Sequence, residues 1–285
     1  MESIESRFRQ YIQQIGYSKG SQYQIPNCIK EFLEVTNKPI KNTNQQDILN
    51  FYQYLQTRPL KRRPGALSQA MIGHYVFSLK TFFNWLEQTG QISCNPISNI
   101  KFKSPQGNPR EPLSQKEILE LFEAAQTSKE TAILHLFYSC GLRRTEAENL
   151  NTSDIHFSKN LLYVREGKGA KRRAIPINEK VKIELENYLI NCKLLMVNCK
   201  CKDAYMVNNN GDRMRGNSYN KILKQLLAKA EITKEASLHH LRHSIATHLL
   251  ENGLSIEFVR DFLGHSHLEA TQIYAKVNQR MMNFK

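Results

Sequence analysis

Apolar residues recur at helical spacing through most of the first hundred positions. Ile48, Phe51, Tyr52 and Leu55 fall on one face of a helix. Before them, Thr43-Asn44-Gln45-Gln46 has the order of a capping box, a side-chain oxygen with Gln three residues on. Leu67 to Leu86 predicts a longer helix whose apolar positions are Ile72, Val76, Leu79, Phe82, Phe83 and Leu86. Leu60-Lys61-Arg62-Arg63-Pro64-Gly65, between the two, is a loop by its Pro and Gly. Its three successive cations are read either as a phosphate contact or as a solvated turn.

The helical pattern stops at Ser104-Pro105-Gln106-Gly107-Asn108-Pro109-Arg110-Glu111-Pro112, which holds three prolines and one glycine. Such a stretch breaks helix and reads as a linker. Ser114-Gln115-Lys116-Glu117 then opens a new helix with a second capping box, carrying Ile118, Leu119, Leu121 and Phe122. The expected organisation is a helical domain over 1–103, a linker over 104–111 and a second domain over 112–285. Inside that second domain the pattern changes: Leu161–Val164 is a short strand-like run, and polar and apolar positions alternate over Lys171–Ile177. Leu161-Leu162-Tyr163-Val164 and Lys171 to Ile177 predict two strands joined by a Gly167-Lys168-Gly169-Ala170 turn. Ala204-Tyr205-Met206-Val207, ended by Asn208-Asn209-Asn210-Gly211, predicts a third, and the chain then returns to helix. The fold class is mainly α, in two domains, with a small antiparallel sheet.

A chain of 285 residues with 40% hydrophobic content can bury a core in each domain. No apolar run approaches the ~18 residues of a membrane-spanning helix. Met1-Glu2-Ser3-Ile4-Glu5 lacks the basic-then-apolar order of a signal peptide. A soluble, cytoplasmic protein with no membrane partner is the expectation. Net charge is +14. Residues 1–105 carry 13 basic and 6 acidic side chains, and the remainder 40 − 13 = 27 and 26 − 6 = 20, so each part holds +7. An excess spread over both parts suits a polyanionic partner contacted by both, or simply a basic soluble protein. The six cysteines form no regular framework. Cys199-Lys200-Cys201 has no second pair at zinc-site spacing, so no metal is expected and the thiols are read as reduced.

Four local features in the second domain carry candidate chemistry. In Gly141-Leu142-Arg143-Arg144-Thr145-Glu146, Arg143 stands at a helix start where it can grip an anion, with Glu146 one turn on to hold its guanidinium; an ordinary surface ion pair has the same pattern. Lys168 sits at a hairpin tip, placed to meet a phosphate, donate a proton or remain solvated. His239 and Arg242, three apart in His239-His240-Leu241-Arg242-His243, share a helical face, and His265 follows in Leu263-Gly264-His265-Ser266. Tyr274 comes nine residues after His265. Taken together, two arginines, a lysine, two histidines and a tyrosine suit phosphoryl transfer by positioning and electrostatics.

In order and spacing, Arg143, Lys168, His239-x-x-Arg242, His265 and Tyr274 resemble the signature of the tyrosine recombinases, the family of lambda integrase, Cre and the Xer proteins. GLRRTEAENL, GKGAKRRAIPI, LHHLRHSIATHLLENG and LGHSHLEATQIYAKV are similar to that family's four motif regions. The resemblance is strong over about 112–277 and weaker before residue 105, where a basic helical domain of the right size supports it. It implies a helical core-binding, DNA-binding domain and a mostly α catalytic domain closing as a clamp around double-stranded DNA. It implies attack by Tyr274 on a phosphodiester, a 3′-phosphotyrosyl link, a free 5′-hydroxyl and a Holliday junction, with no metal ion or cofactor. Arg143 and Arg242 would hold the non-bridging oxygens, Lys168 would protonate the leaving oxygen, His239 would serve Tyr274 as acid and base, and His265 would donate to the phosphate. Glu146 would support the site. Arg144 and the extra imidazole of His240 depart from the usual pattern without removing a catalytic group. The resemblance further implies a homotetramer on two recombination sites, with accessory proteins open. The tail after Tyr274, with Val277, Met281 and Phe284 at helical spacing, would dock on a neighbouring subunit or fold on its own. A type IB topoisomerase-like nicking-closing enzyme and a DNA-binding factor without catalysis are the alternatives.

Overall fold

A computed structural model describes residues 3–60, 64–103, 111–165, 172–195, 201 and 203–264. The chain divides into two compact units, Met1–Pro109 and Arg110–Lys285. Residues 104–110, most of the expected linker, lie outside the described residues, as do Lys61, Arg62 and Arg63.

The first unit holds helices α1 (Ile4–Gln14), α2 (Lys19–Thr36), α3 (Gln45–Thr57) and α4 (Gln69–Gln88). Ser3, Ser18 and Ser68 each accept a first-turn N–H at the start of α1, α2 and α4. The box before α3 is displaced by one residue from the expected position. Asn44 is the cap, and Asp47 returns the bond to its N–H at 3.0 Å. Asp47 ionises readily there, its pKa lowered by the Lys38 hydrogen bond and the Asn44 N–H, a role that the neutral Gln46 does not fill. The apolar stripes meet in one core of Phe8, Ile12, Ile29, Phe32, Ile48, Phe51, Leu55, Phe82, Phe83 and Leu86. Phe32 meets Phe51 edge-on at 5.1 Å, and Phe8 meets Phe82 at 4.9 Å. Val76 is only half-buried; Tyr75 takes the inward place, its hydroxyl donating to Glu31 at 2.6 Å and accepting from Arg58 at 2.9 Å.

The second unit holds α5 (Gln115–Ala124), α6 (Ser128–Leu134), a π-type turn (His135–Ser139), α7 (Arg144–Asn149), a three-stranded sheet, α8 (Glu179–Leu195), α9 (Gly216–Lys229), α10 (Leu238–Glu251) and α11 (Ile256–Leu263). The Ser114–Glu117 box stands as expected, with Glu117 accepting the Ser114 N–H at 2.7 Å. The sheet is antiparallel in the order β1 (Ile155–His156), β2 (Leu161–Val164), β3 (Arg173–Pro176). The third strand is therefore β1, not Ala204–Val207. That segment makes only isolated bridges, Asn151 with Ala204 and Val207 with Arg213, and the N–H groups of Ala204, Tyr205 and Val207 go to Cys201 O, Leu150 O and the Tyr188 hydroxyl. Its apolar run reflects burial, with Tyr205, Met206 and Val207 each 1% exposed. A short buried run does not distinguish a strand from an irregular core segment, here bent at Tyr205 and Met206.

Candidate active site

The site is built around Glu146, whose side chain is 1% exposed. It lies on α7, a short helix held at both ends. At its start, Glu146 Oε2 accepts the Arg143 N–H at 2.8 Å. At its end, Arg213 donates to the carbonyls of Glu148 (3.1 Å) and Leu150 (3.0 Å), a cation where the helix dipole is negative. The chain enters α7 through Gly141, at φ +56°, where a side chain would come within 2.9 Å of Leu263 Cδ2. Glycine is required there for both the backbone and the close approach of α11.

Three guanidiniums converge on this carboxylate. Arg143 Nη1 donates to Oε1 at 2.8 Å. Arg173, from β3, donates two parallel bonds, Nη1 to Oε1 at 3.0 Å and Nη2 to Oε2 at 2.8 Å, the forked geometry that matches a carboxylate. Arg242, from α10, stands 4.0 Å away through Nη1. Burial alone would raise the Glu146 pKa. The hydrogen bonds and charge of Arg173, then those of Arg143, outweigh it and hold the group at about 2.

The same three side chains grip the end of α11. Arg173 Nε donates to Phe262 O at 3.0 Å, Arg242 Nη2 to Leu263 O at 2.6 Å and Arg143 Nη2 to Gly264 O at 2.9 Å. Arg242 Nη1 also donates to Gly141 O. Successive carbonyls at a helix C-terminus, left without intrahelical partners, thus each receive a cationic donor. Gly264 closes the helix at φ +64°, and Arg173 Cδ lies 3.0 Å from where its side chain would begin.

The structure brings Arg143 and Arg242 together with Glu146. Arg143 keeps 22% of its side chain exposed, while Arg242 is 1% exposed. His239 is exposed in the first turn of α10, three residues before Arg242. The adjacent His240 is used locally, its Nδ1 accepting the Ser237 N–H at 3.1 Å at the helix start. Arg144 pairs with Glu148 at 3.5 Å. Lys168, His265 and Tyr274 lie outside the described residues. Arg173 was not singled out from the sequence. Its signal is positional: residues 173, 175 and 177 share one face of the strand, and Ile175 (0% exposed) and Ile177 (5%) face the core. A charge at an inward position must find partners. With three guanidiniums about one carboxylate the centre is net positive at any working pH, and Arg143 is its solvent-accessible edge.

The phage integrase family matches residues 111–281, and so spans the whole of this constellation. The chain belongs to the phage integrase family of tyrosine recombinases. This recombinase is 30% identical over 282 residues to a tyrosine recombinase of Thermosipho africanus, covering 97% of this chain and 96% of that one. It is 33% identical over 242 residues to tyrosine recombinase XerD of Oceanobacillus iheyensis, covering 83% and 78%. Among solved structures, XerH bound to a palindromic difH substrate shares its fold, with TM-score 0.76, 19% identity and 98% and 93% coverage. The Thermosipho similarity extends over the N-terminal unit, where the sequence motifs alone carried less. The protein is accordingly a site-specific recombinase of the tyrosine type. Among the described residues no helix is long and apolar enough to cross a membrane.

Proposed function

We propose that this recombinase cuts and rejoins double-stranded DNA at two recombination sites through Tyr274. The Tyr274 phenol attacks a phosphodiester, forming the phosphotyrosyl bond to the 3′ side and breaking the bond to the 5′ oxygen, which leaves as a hydroxyl. A 5′-hydroxyl from the partner duplex then attacks that link, displaces Tyr274 and yields a Holliday junction. The number of phosphoester bonds is unchanged, so no external energy source enters.

The observation that carries this reading is the convergence of Arg143 and Arg242 on Glu146, beside the 262–264 turn that leads in sequence to His265. In this scheme Arg143 and Arg242 exchange the Gly264 and Leu263 carbonyls for the non-bridging oxygens, with donors that stay charged at any working pH. Lys168 protonates the leaving 5′ oxygen. His239, exposed beside Arg242 on α10, takes the phenolic proton of Tyr274, and His265 donates to the phosphate. Cations near Tyr274 lower the cost of forming its phenolate from the usual ~10. Residues 112–285 form the catalytic domain and residues 1–103 the core-binding domain, the two closing as a clamp on DNA. The relatives' names, the DNA bound in the XerH structure and the +14 charge support DNA as the substrate. A homotetramer working in the cytoplasm, with or without accessory proteins, completes the proposal.

Covalent capture tests it. The protein is incubated with fragmented, nicked DNA of its source, denatured, and the attached DNA sequenced, with Tyr274→Phe alongside. The expected result is linked DNA with the unsubstituted protein alone, enriched for one inverted repeat. Linked DNA without sequence preference would instead favour a topoisomerase-like nicking-closing activity, and no linked DNA a binding factor.

A further inference from the structure

We propose that Arg173 is a positioning residue for strand cleavage, a brace that sets the phosphate-binding arginines and the segment leading to His265 and Tyr274 in one register. The proposal rests on the strand-transfer reading above and adds to it a residue which that reading does not use.

Arg173 joins three elements with one side chain. It belongs to β3, the strand that follows Lys168 in sequence. Two of its bonds fix both oxygens of Glu146, at 3.0 and 2.8 Å, and its Nε fixes Phe262 O in the last turn of α11 at 3.0 Å. It is 8% exposed on its side chain, so these bonds are shielded from water and from salt. Glu146, held in this way, in turn orients the Arg143 guanidinium through Oε1 at 2.8 Å. Arg173 thus reaches the more exposed arginine only through Glu146. The strand-transfer reading gives the phosphate to Arg143 and Arg242; Arg173 acts on them through Glu146 and the end of α11. A planar fork spans both acceptors at once; a single ammonium on a lysine stem meets one or the other.

A small displacement of a catalytic group costs rate far more than binding, because affinity is shared among many phosphate contacts. Arg173→Ala should therefore slow single-turnover cleavage about 10–100-fold at saturating DNA while shifting DNA affinity less than about threefold. The substrate is a nicked duplex of the inverted repeat recovered by covalent capture. Arg173→Lys should recover part of the rate. Arg173→Ala combined with Glu146→Gln should cleave within about threefold of the slower single variant, since both act through one carboxylate. Losses that simply multiply, a lysine variant with the full rate, or an alanine variant that cleaves normally would each overturn the proposal. If the alanine variant fails to fold, the lysine variant decides: slower cleavage with unchanged affinity supports the brace, and full-rate cleavage ends it. Absence of Tyr274-dependent cleavage by the unsubstituted protein would instead remove the strand-transfer reading itself.

Discussion

Replacing Glu146 by Gln keeps the shape of the side chain and removes one charge from the centre of the second unit. The consequence follows from two independent routes. The carboxyl ionises at about 2 in the folded chain against 4.5 as its ordinary value, a difference that corresponds to about 3 kcal/mol of stability at neutral pH. Removing one partner of a buried ion pair costs ~3–5 kcal/mol, because the remaining charge stays desolvated and unpaired; here Arg173 and Arg242 are 8% and 1% exposed. At ~2–4 °C per kcal/mol for a unit of this size, the melting point should fall by about 6–12 °C. The sign with pH is fixed. Because the folded carboxyl binds its proton less readily than the unfolded one, its contribution is complete above about 4.5 and is lost as pH falls toward about 2. Urea melts of the two proteins should therefore differ by about 3 kcal/mol near neutral pH and converge in acid. A difference below about 1 kcal/mol near neutrality, or one that does not narrow on acidification, would refute the account of Glu146 as the hub.

Other consequences reach the rest of the molecule. Ser244→Ala leaves the buried N–H of Leu113 without the hydroxyl that accepts it at 2.8 Å, and should cost ~1–3 kcal/mol in a denaturant melt. Gly141→Ala forces a side chain into φ +56° and within 2.9 Å of Leu263; a loss of ~2 kcal/mol or more is expected, with slower cleavage as α11 is pushed away. DNA affinity should fall ~10³–10⁵-fold between 50 and 200 mM salt if ~6–10 phosphates are contacted, and a flat response in a binding titration would contradict a clamp. If subunits exchange their tails, Val277→Ala with Met281→Ala and Phe284→Ala should abolish the synaptic complex on a native gel while leaving binding to one site intact.

The helices were legible because their apolar stripes and caps are local: Ile118 and Leu121 point inward just after the Ser114–Glu117 box, as their spacing requires. The small sheet was legible at Leu161–Val164, a short run rich in strand-forming residues, and over Lys171–Ile177, where polar and apolar positions alternate and β3 lies at Arg173–Pro176. It was misread at Ala204–Val207, where a fully buried segment, bent at Tyr205 and Met206, carries a similar apolar run and makes only isolated bridges. The strand Ile155–His156 is too short to show a period. For the site, Arg143, Glu146 and Arg242 could be proposed because each sits in a recognisable local word. Arg173 lies within such a word too, GKGAKRRAIPI, but nothing in the word assigns it a role: its partners Glu146 and Phe262 stand 27 and 89 residues away in sequence. Pairings of that range are created by the fold, and the sequence records them only as a charged residue where the strand faces the core. His240 shows the opposite case: its imidazole looked like spare chemistry and is spent on closing the first turn of α10.

The most direct measurement is the chemical identity of the protein–DNA link. A nicked duplex carrying the recovered site is allowed to react, the complex is digested with protease and nuclease, and the modified peptide is sequenced by mass spectrometry. The account predicts a nucleotide joined through its 3′ phosphate to Tyr274, with a free hydroxyl on the released 5′ end and no adduct in Tyr274→Phe. A link to any other residue, a 5′-phosphate attachment, or an adduct that survives Tyr274→Phe would contradict it.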